Sequence, residues 1–298
     1  MVVTLGLGGA SNAGKEQLPV MVYIHCQPET AQDERQLFAW RVLQQALERT
    51  RPAYGEFVLK EASVSLRQPR QLQAIERGGR DINVALLPVM PESARSTVTP
   101  VRIPAIGGLW GYRVLLVAAD RQARFDAIRT LDDLRSITIG QSWFWADTGI
   151  LLKAGLQVVT GEAYDGLFKM LVAGRFDAFS RSVIEAAPEY EVRRDLLPKM
   201  AIERHLLLHY PMPEYFWFSD DAEGRRRAQR VRDGLMSMVE DRSLCRMVEK
   251  QFGESIRTLA LDQRTVIEIP NSLMGPGDHL DEPAYWCDPI AYKSTSQP

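Results

Sequence analysis

Tyr164-Asp-Gly-Leu-Phe-Lys-Met-Leu-Val-Ala-Gly-Arg-Phe-Asp-Ala178 sets Tyr164, Leu167, Phe168, Leu171 and Val172 at i, i+3, i+4, i+7 and i+8. That spacing puts the apolar groups on one helical face. Gly174 supplies the stop, and Phe176 to Ser180 follows as a strand. The rhythm holds upstream. Thr130-Leu-Asp-Asp133 is a cap-like helix entry, Ile137 to Gly140 a short strand, and Gln141-Ser-Trp-Phe-Trp145 leads into a helix from about Ala146 to Ala154. Gly155 ends that helix, and Leu156 to Val159 is the next strand. Tyr112 to Ala118, strongly apolar, opens the whole series.

The N-terminal third has the same alternation. Leu18 to His25 reads as a strand. Ala39, Trp40, Leu43, Ala46 and Leu47 share a helix face, and 54–62 is a strand. Residues 69–78 form a short helix ending in Gly78-Gly79, and 81–87 a strand stopped by Pro88. This β-α-β-α-β order implies a parallel sheet with helices on its faces. Residues 99–111, with two prolines and three glycines, read as irregular. Beyond Ser180 a helix begins near Ser182, and strands follow at Leu206 to Tyr210 and Tyr215 to Ser219. A long helix then carries Ala228, Val231, Leu235, Met238 and Val239 on one face, and a last one runs from about Ser243 to Phe252. Arg225-Arg-Arg227 with Arg230 and Arg232 reads as the solvated side of the long helix. After about residue 262 four prolines and two glycines suggest a tail wrapped over the surface, disordered over 291–298.

At 298 residues, 45% apolar and 25% charged, the chain has material for about two domains. The net charge of −2 gives no electrostatic case for nucleic acid or anionic membrane. No apolar run is long enough to span a bilayer. Cys26, Cys245 and Cys287 match no zinc or redox spacing, so no metal or cofactor is implied. A Cys26–Cys287 bridge, a Cys245–Cys287 bridge and three buried thiols all stay open. Val2, Val3, Leu5 and Leu7 precede an Ala10-Ser-Asn-Ala13 segment that looks like a cleavage site, without a positive n-region or full apolar core. Residues 1–17 are a truncated signal peptide or a leader of no meaning.

Leu134-Arg-Ser-Ile-Thr-Ile-Gly140 followed by the Tyr164–Ala178 stretch resembles the family 3 extracellular solute-binding proteins, the polar amino acid receptors of ABC importers. The likeness covers about 18–260; the order of elements carries most of its weight, and Ala173-Gly-Arg-Phe-Asp177 and the closing Phe216-Trp-Phe-Ser219 are its matching motifs. The resemblance implies an α/β, two-lobed type II periplasmic-binding fold. Each lobe would be a mostly parallel sheet flanked by helices. Lobe 1 would be 18–112 plus 210–290 and lobe 2 113–209, with hinge strands near 112–118 and 206–210. It also implies a monomer in the periplasm that closes on a small-molecule solute, then meets the membrane subunits of an importer or a sensor.

Pro91-Glu-Ser-Ala-Arg95 sits where the family has a Glu-Arg turn, so Arg95 is expected to grip a ligand carboxylate bidentately. Ser142, Trp143 and Phe144 precede a helix whose free N–H groups favour an anion, while the rings can stack on a flat ligand or a cation. Arg181 and Ser182 are read either as an anion clamp opposite Arg95 or, for Arg181, as one half of an i,i+4 pair with Glu185. His25 and Glu29 lie where open α/β sheets bind ligands. His25 and Cys26 point to opposite faces and so make no catalytic pair. Ser182 stands where amino-acid-binding members have an acidic residue, and Trp143-Phe-Trp145 replaces small residues. Both departures count against an α-amino acid. The expected ligand is a small polar or acidic solute. The rival readings are a dehydratase-like periplasmic enzyme on the same fold and a partner-binding protein with a degenerate ligand site.

Overall fold

The computed structural model describes residues 18–28, 36–90, 97–275 and 277–292. Glu29, Arg95, the segment 1–17 and the tail from 293 on lie outside the described residues.

Strand β1 (Met21–Gln27) runs into helix α1 (Leu37–Arg49), the short α2 (Arg51–Tyr54) and β2 (Phe57–Ser65). α3 (Gln68–Glu76) and β3 (Ala85–Pro88) follow. β1 and β2 pair in parallel with Met21 opposite Phe57, as the β-α-β order predicts. Asn83 ties β1 to the chain entering β3. Its backbone N–H donates to Ile24 O at 2.9 Å, while its side-chain amide accepts from Ile24 N and donates to Val22 O. The segment expected to be irregular contains a strand, β4 (Val98–Val101), before a turn at Leu109–Gly111.

β5 (Tyr112–Ala118) begins the second group, with α4 (Gln122–Phe125), α5 (Leu131–Leu134), β6 (Thr138–Ser142), α6 (Ala146–Lys153) and β7 (Gln157–Gly161). α7 (Tyr164–Val172), β8 (Ala178–Ser182), α8 (Ala186–Arg193), β9 (Met200–Ile202) and β10 (Leu206–His209) complete it. Thr130 and Asp133 form the reciprocal capping box at α5. α8 starts four residues later than the expected 182, because β8 continues through Ser182 in register with Arg113 of β5.

The chain then returns. β11 (Glu214–Ser219) lies between β3 and β4, antiparallel to both. α9 (Ala222–Glu240) and α10 (Ser243–Arg257) follow, and β12 (Thr265–Glu268) adds a parallel edge to β10. The seven-stranded sheet reads β12-β10-β5-β8-β6-β7, with β9 also on β5. β5 and β10, antiparallel at Tyr112 and Arg113, are the strands on which the chain enters and leaves this half.

α9 packs on α1 closely enough that a Cβ at Gly234 would stand 2.2 Å from Ala46 O. Arg230 corrects the expectation of a solvated basic face. It is fully buried, donating to Thr50 Oγ1 and to the carbonyls of Leu47, Gly55 and Glu56. Arg225, Arg226 and Arg232 are exposed. Pro289–Ala291 forms a turn, and the segment 291–298 expected to be disordered lies outside the described residues beyond Tyr292. Cys245 and Cys287 form a disulfide, closing a separation of 42 residues. Cys26 is a buried thiol outside that bridge, its Sγ donating to Val64 O and accepting from Leu66 N. Next to the bridge, Trp286 packs so tightly that a Cβ on Gly108 would fall 2.3 Å from its ring. Gly108 has φ +78°, a left-handed conformation that glycine adopts without strain.

Candidate functional site

A cleft, with about 1000 Å³ of space when the open solvent at its mouth is included, lies between the β1–β2 and β3–β11 side and the β6–α6 and β8–α8 side. Its lining comes from β1, α1, β2, α3 and β11 on one wall and, on the other, from β5, the turn before α6, the start of α6, β8 and the turn before α8. Trp40, Trp110, Phe144 and Trp145 bring aromatic faces to it. Ends of strands, where side chains need not pair within the sheet, supply the polar groups.

The second wall is a buried chain of charges. Arg113 sits mid-sheet, 2% exposed. It donates to Ser180 O and Trp110 O at 3.2 Å and meets Asp147 at 3.1 Å. Asp147, in the first turn of α6, also accepts from Gln141 Nε2 and Tyr210 OH. Arg181 donates twice to Glu189 at 2.6 Å and meets Glu185 at 2.7 Å. Glu189 in turn accepts from Tyr164 OH at 2.5 Å. Burial alone would weaken the charge on Arg181, yet its two carboxylates hold its pKa well above the ordinary arginine value. Burial beside Glu189 likewise raises the Tyr164 phenol, and burial raises that of Tyr210.

Of the residues singled out from sequence, Phe144 and Arg181 line the cleft. Arg181 takes the ion-pair arrangement rather than that of an open anion clamp, because Glu185 and Glu189 come round one face of α8 to meet it. Ser182 is fully buried and its hydroxyl donates to Leu109 O. Ser142 is also buried, its hydroxyl accepting from Phe144 N. Neither serine lines the cleft, since both end central strands and turn inward. Trp143 is 56% exposed, its ring tilted against that of Phe144 with centroids 4.1 Å apart. His25 lies behind the first wall, stacked on Trp40 at 4.3 Å. Its Nδ1–H donates to Cys26 O, and burial lowers its pKa. Asp147 stands in the first turn of α6, where an anion was expected, with its carboxylate turned to Arg113.

Sequence reasoning missed Arg113, Asp147, Trp145 and Glu214. Arg113 carried a readable signal, a single charge inside the apolar run Tyr112–Ala118, where a buried strand accepts a charge only with a partner. Among the described residues no group of three or more His, Cys, Asp or Glu side chains could hold a metal. No helix among them is long and apolar enough to cross a membrane.

No family model and no curated sequence matches the chain. Solved structures do. An ancestral arginine-binding protein bound to arginine aligns at TM-score 0.53 and 15% identity, over 79% of this chain and 99% of that one. The VFT2 domain of Bordetella pertussis BvgS gives 0.54 and 20%, over 78% and 93%. The GluR0 ligand-binding core in complex with L-glutamate gives 0.52 and 12%, over 80% and 100%. At such identities the likeness is one of fold. The chain has the two-lobed type II periplasmic-binding architecture that its element order implied.

Proposed function

We propose that this chain is a divergent solute-binding protein of the family 3 kind. It takes a small polar solute between its lobes and delivers it to an ABC importer or reports it to a sensor. Lobe 1 would be 18–112 plus 210–290, with β12 reaching across to the other sheet, and lobe 2 113–209. Closure would turn on β5 and β10. The reading also includes a periplasmic location behind a signal peptide, a monomeric state and no catalysis. The observation that carries it is the cleft, large enough for a small molecule and walled from both sides by aromatic and charged groups.

Against the enzyme reading, Asp147 and Glu185 each face an arginine, whereas general acid–base chemistry needs a carboxyl free to exchange its proton with substrate. The degenerate-site reading requires Phe144 to fill the cleft. The ring instead lies against Arg67, 4.3 Å from the guanidinium carbon, and leaves the cavity empty.

The test is a thermal-shift panel of amino acids, dicarboxylates, aromatic acids, polyamines and small peptides, followed by small-angle scattering. A ligand at 100 times its Kd adds about 2.7 kcal/mol, a rise of a few degrees for a chain of this size. A saturable rise with a smaller radius of gyration is expected. A flat panel with an unchanged radius would remove the receptor reading in favour of partner binding.

A further inference from the structure

The chain beyond α10 leaves its own half, takes hold of the other sheet and returns. The hold begins at Arg264, which is buried and donates to Glu203 O and Leu206 O at 2.7 and 2.9 Å. Its guanidinium lies 3.6 Å from the buried Glu203 carboxylate. β12 then pairs with β10, and just outside that ladder Thr265 N and Ile269 N donate to His205 O and His209 O at 2.8 Å. Ile267 and Ile269 are buried. A short edge strand held by buried apolar groups and a paired charge does not fray as a loose end does.

The return runs beside the chain that links β10 to β11. Asn271 Nδ2 donates to Pro211 O at 2.7 Å, and Lys153 of α6 donates to Ser272 Oγ at 3.1 Å. The far anchor is Asp278, fully buried, which accepts from Tyr215 OH of β11 at 3.2 Å and from Arg102 at 3.3 Å. Cys287 N donates to Gly107 O at 2.9 Å, and the Cys245–Cys287 disulfide joins this end to α10. The two strands on which the chain enters and leaves the second half touch this segment as well. His209 of β10 stacks on Tyr112 of β5 with ring centroids 4.3 Å apart, and its Nδ1 meets Glu268 of β12 at 2.7 Å.

We propose that this disulfide-closed ring is a strap across the hinge, a third tie beside β5 and β10 that narrows the range of inter-lobe motion. The inference rests on the hinge of the receptor reading above. Two crossing strands leave the lobes free to twist as well as bend, and a third connection held at both ends removes part of that freedom. The bridge keeps the far end close to its seat, so a strap that lifts off reseats within the same molecule.

The test uses the intact protein without ligand. Nitroxide labels carried on p-acetylphenylalanine replace Val58 of β2 and Val192 of α8, both exposed, and pulsed electron resonance reads the distance between the lobes. Cys245→Ser with Cys287→Ser is expected to broaden the distance distribution. A second variant, with Gly-Ser-Gly-Ser inserted between Ser272 and Leu273, keeps the bridge and both anchors but gives the strap slack, and is expected to broaden it too. Where the cysteine variant does not fold, the insertion decides alone. An unchanged distribution in the insertion variant overturns the proposal, because the segment then bears no load between its anchors. Broadening by the insertion with none from the cysteine variant overturns the part given to the bridge. The readout needs no solute, so its failure leaves solute binding standing, and a flat ligand panel leaves the strap standing.

Discussion

The two walls of the cleft handle polarity in opposite ways. On the β5–β8 wall, Arg113, Arg181, Asp147 and Glu185 are all under 5% exposed, and each charge has an opposite charge against it. On the β1–α3 wall, Trp40, Leu37 and Leu66 dominate, the charges of Glu61 and Arg67 are exposed, and the buried amide of Gln71 is only half satisfied. A buried charge must find its partner within the protein or not be charged at all. The first of these walls is therefore a finished structure, stiff and indifferent to a ligand's arrival. The other keeps its charges at the surface, so selectivity should reside there.

Breaking the finished wall should have the largest effect. Arg181→Met leaves Glu185 and Glu189 buried without the cation between them, at a cost of about 3–5 kcal/mol. Arg230 supplies the control. It is equally buried, but its acceptors are carbonyls and a hydroxyl, and burial lowers its pKa instead of raising it. Arg230→Met strands no opposite charge and should cost about 1–3 kcal/mol. Urea unfolding of both variants measures the difference. Equal losses would mean that burial of a guanidinium, and not its carboxylate partners, sets the stability of the wall.

The tail offers a second, smaller test, because its buried Asp278 and its crosslink brace the first side. Asp278, fully buried, accepts from Tyr215 OH and Arg102, and the Cys245–Cys287 bridge pins the segment to α10. Cys245→Ser with Cys287→Ser should lower unfolding free energy by about 2–4 kcal/mol, chiefly by freeing the unfolded chain. Scattering of the double variant should show an unchanged arrangement of the β5–β8 sheet. Reduction of the wild type by dithiothreitol should reproduce the loss. If it does not, the cost of the substitutions lies in side-chain packing at Gly107 rather than in the crosslink.

The sequence told the two halves apart less well than it told helix from strand. Tyr112–Ala118 coincides with β5 because it is a nearly continuous apolar run, and Tyr164–Val172 with α7 because its helical period is unbroken. β9 and β12, at three and four residues, are too short to show alternation and exist because a neighbour's edge accepts them. In the site, Phe144 and Arg181 were legible as unusual residues after strands. The partners of Arg181 were legible only as far as Glu185, since Glu189 lies two helical turns away and Tyr164 on another helix. Asp147 falls in the first turn of a helix, where a carboxylate is ordinary and draws no notice. Only the fold brings Arg113 against it. Long-range pairing of charges leaves no periodic trace, so the finished wall was the harder one to foresee.

His25 gives the finest test of the less polar side. It is neutral by burial, packed on Trp40, with its folded pKa below the usual 6.5. The unfolded chain therefore takes up the proton first as pH falls. The neutral ring's contribution is fully present above pH 6.5 and is lost as pH drops through the lowered folded value. Wild-type melting temperature should accordingly fall more steeply than that of His25→Gln as pH goes from about 7 to about 5. The rest of the chain is common to the two proteins, so the difference between the curves reports the imidazole together with its interaction with Glu61. Parallel curves would mean that the ring is reached by water when the cleft opens. The first wall would then be loose as well as unmatched.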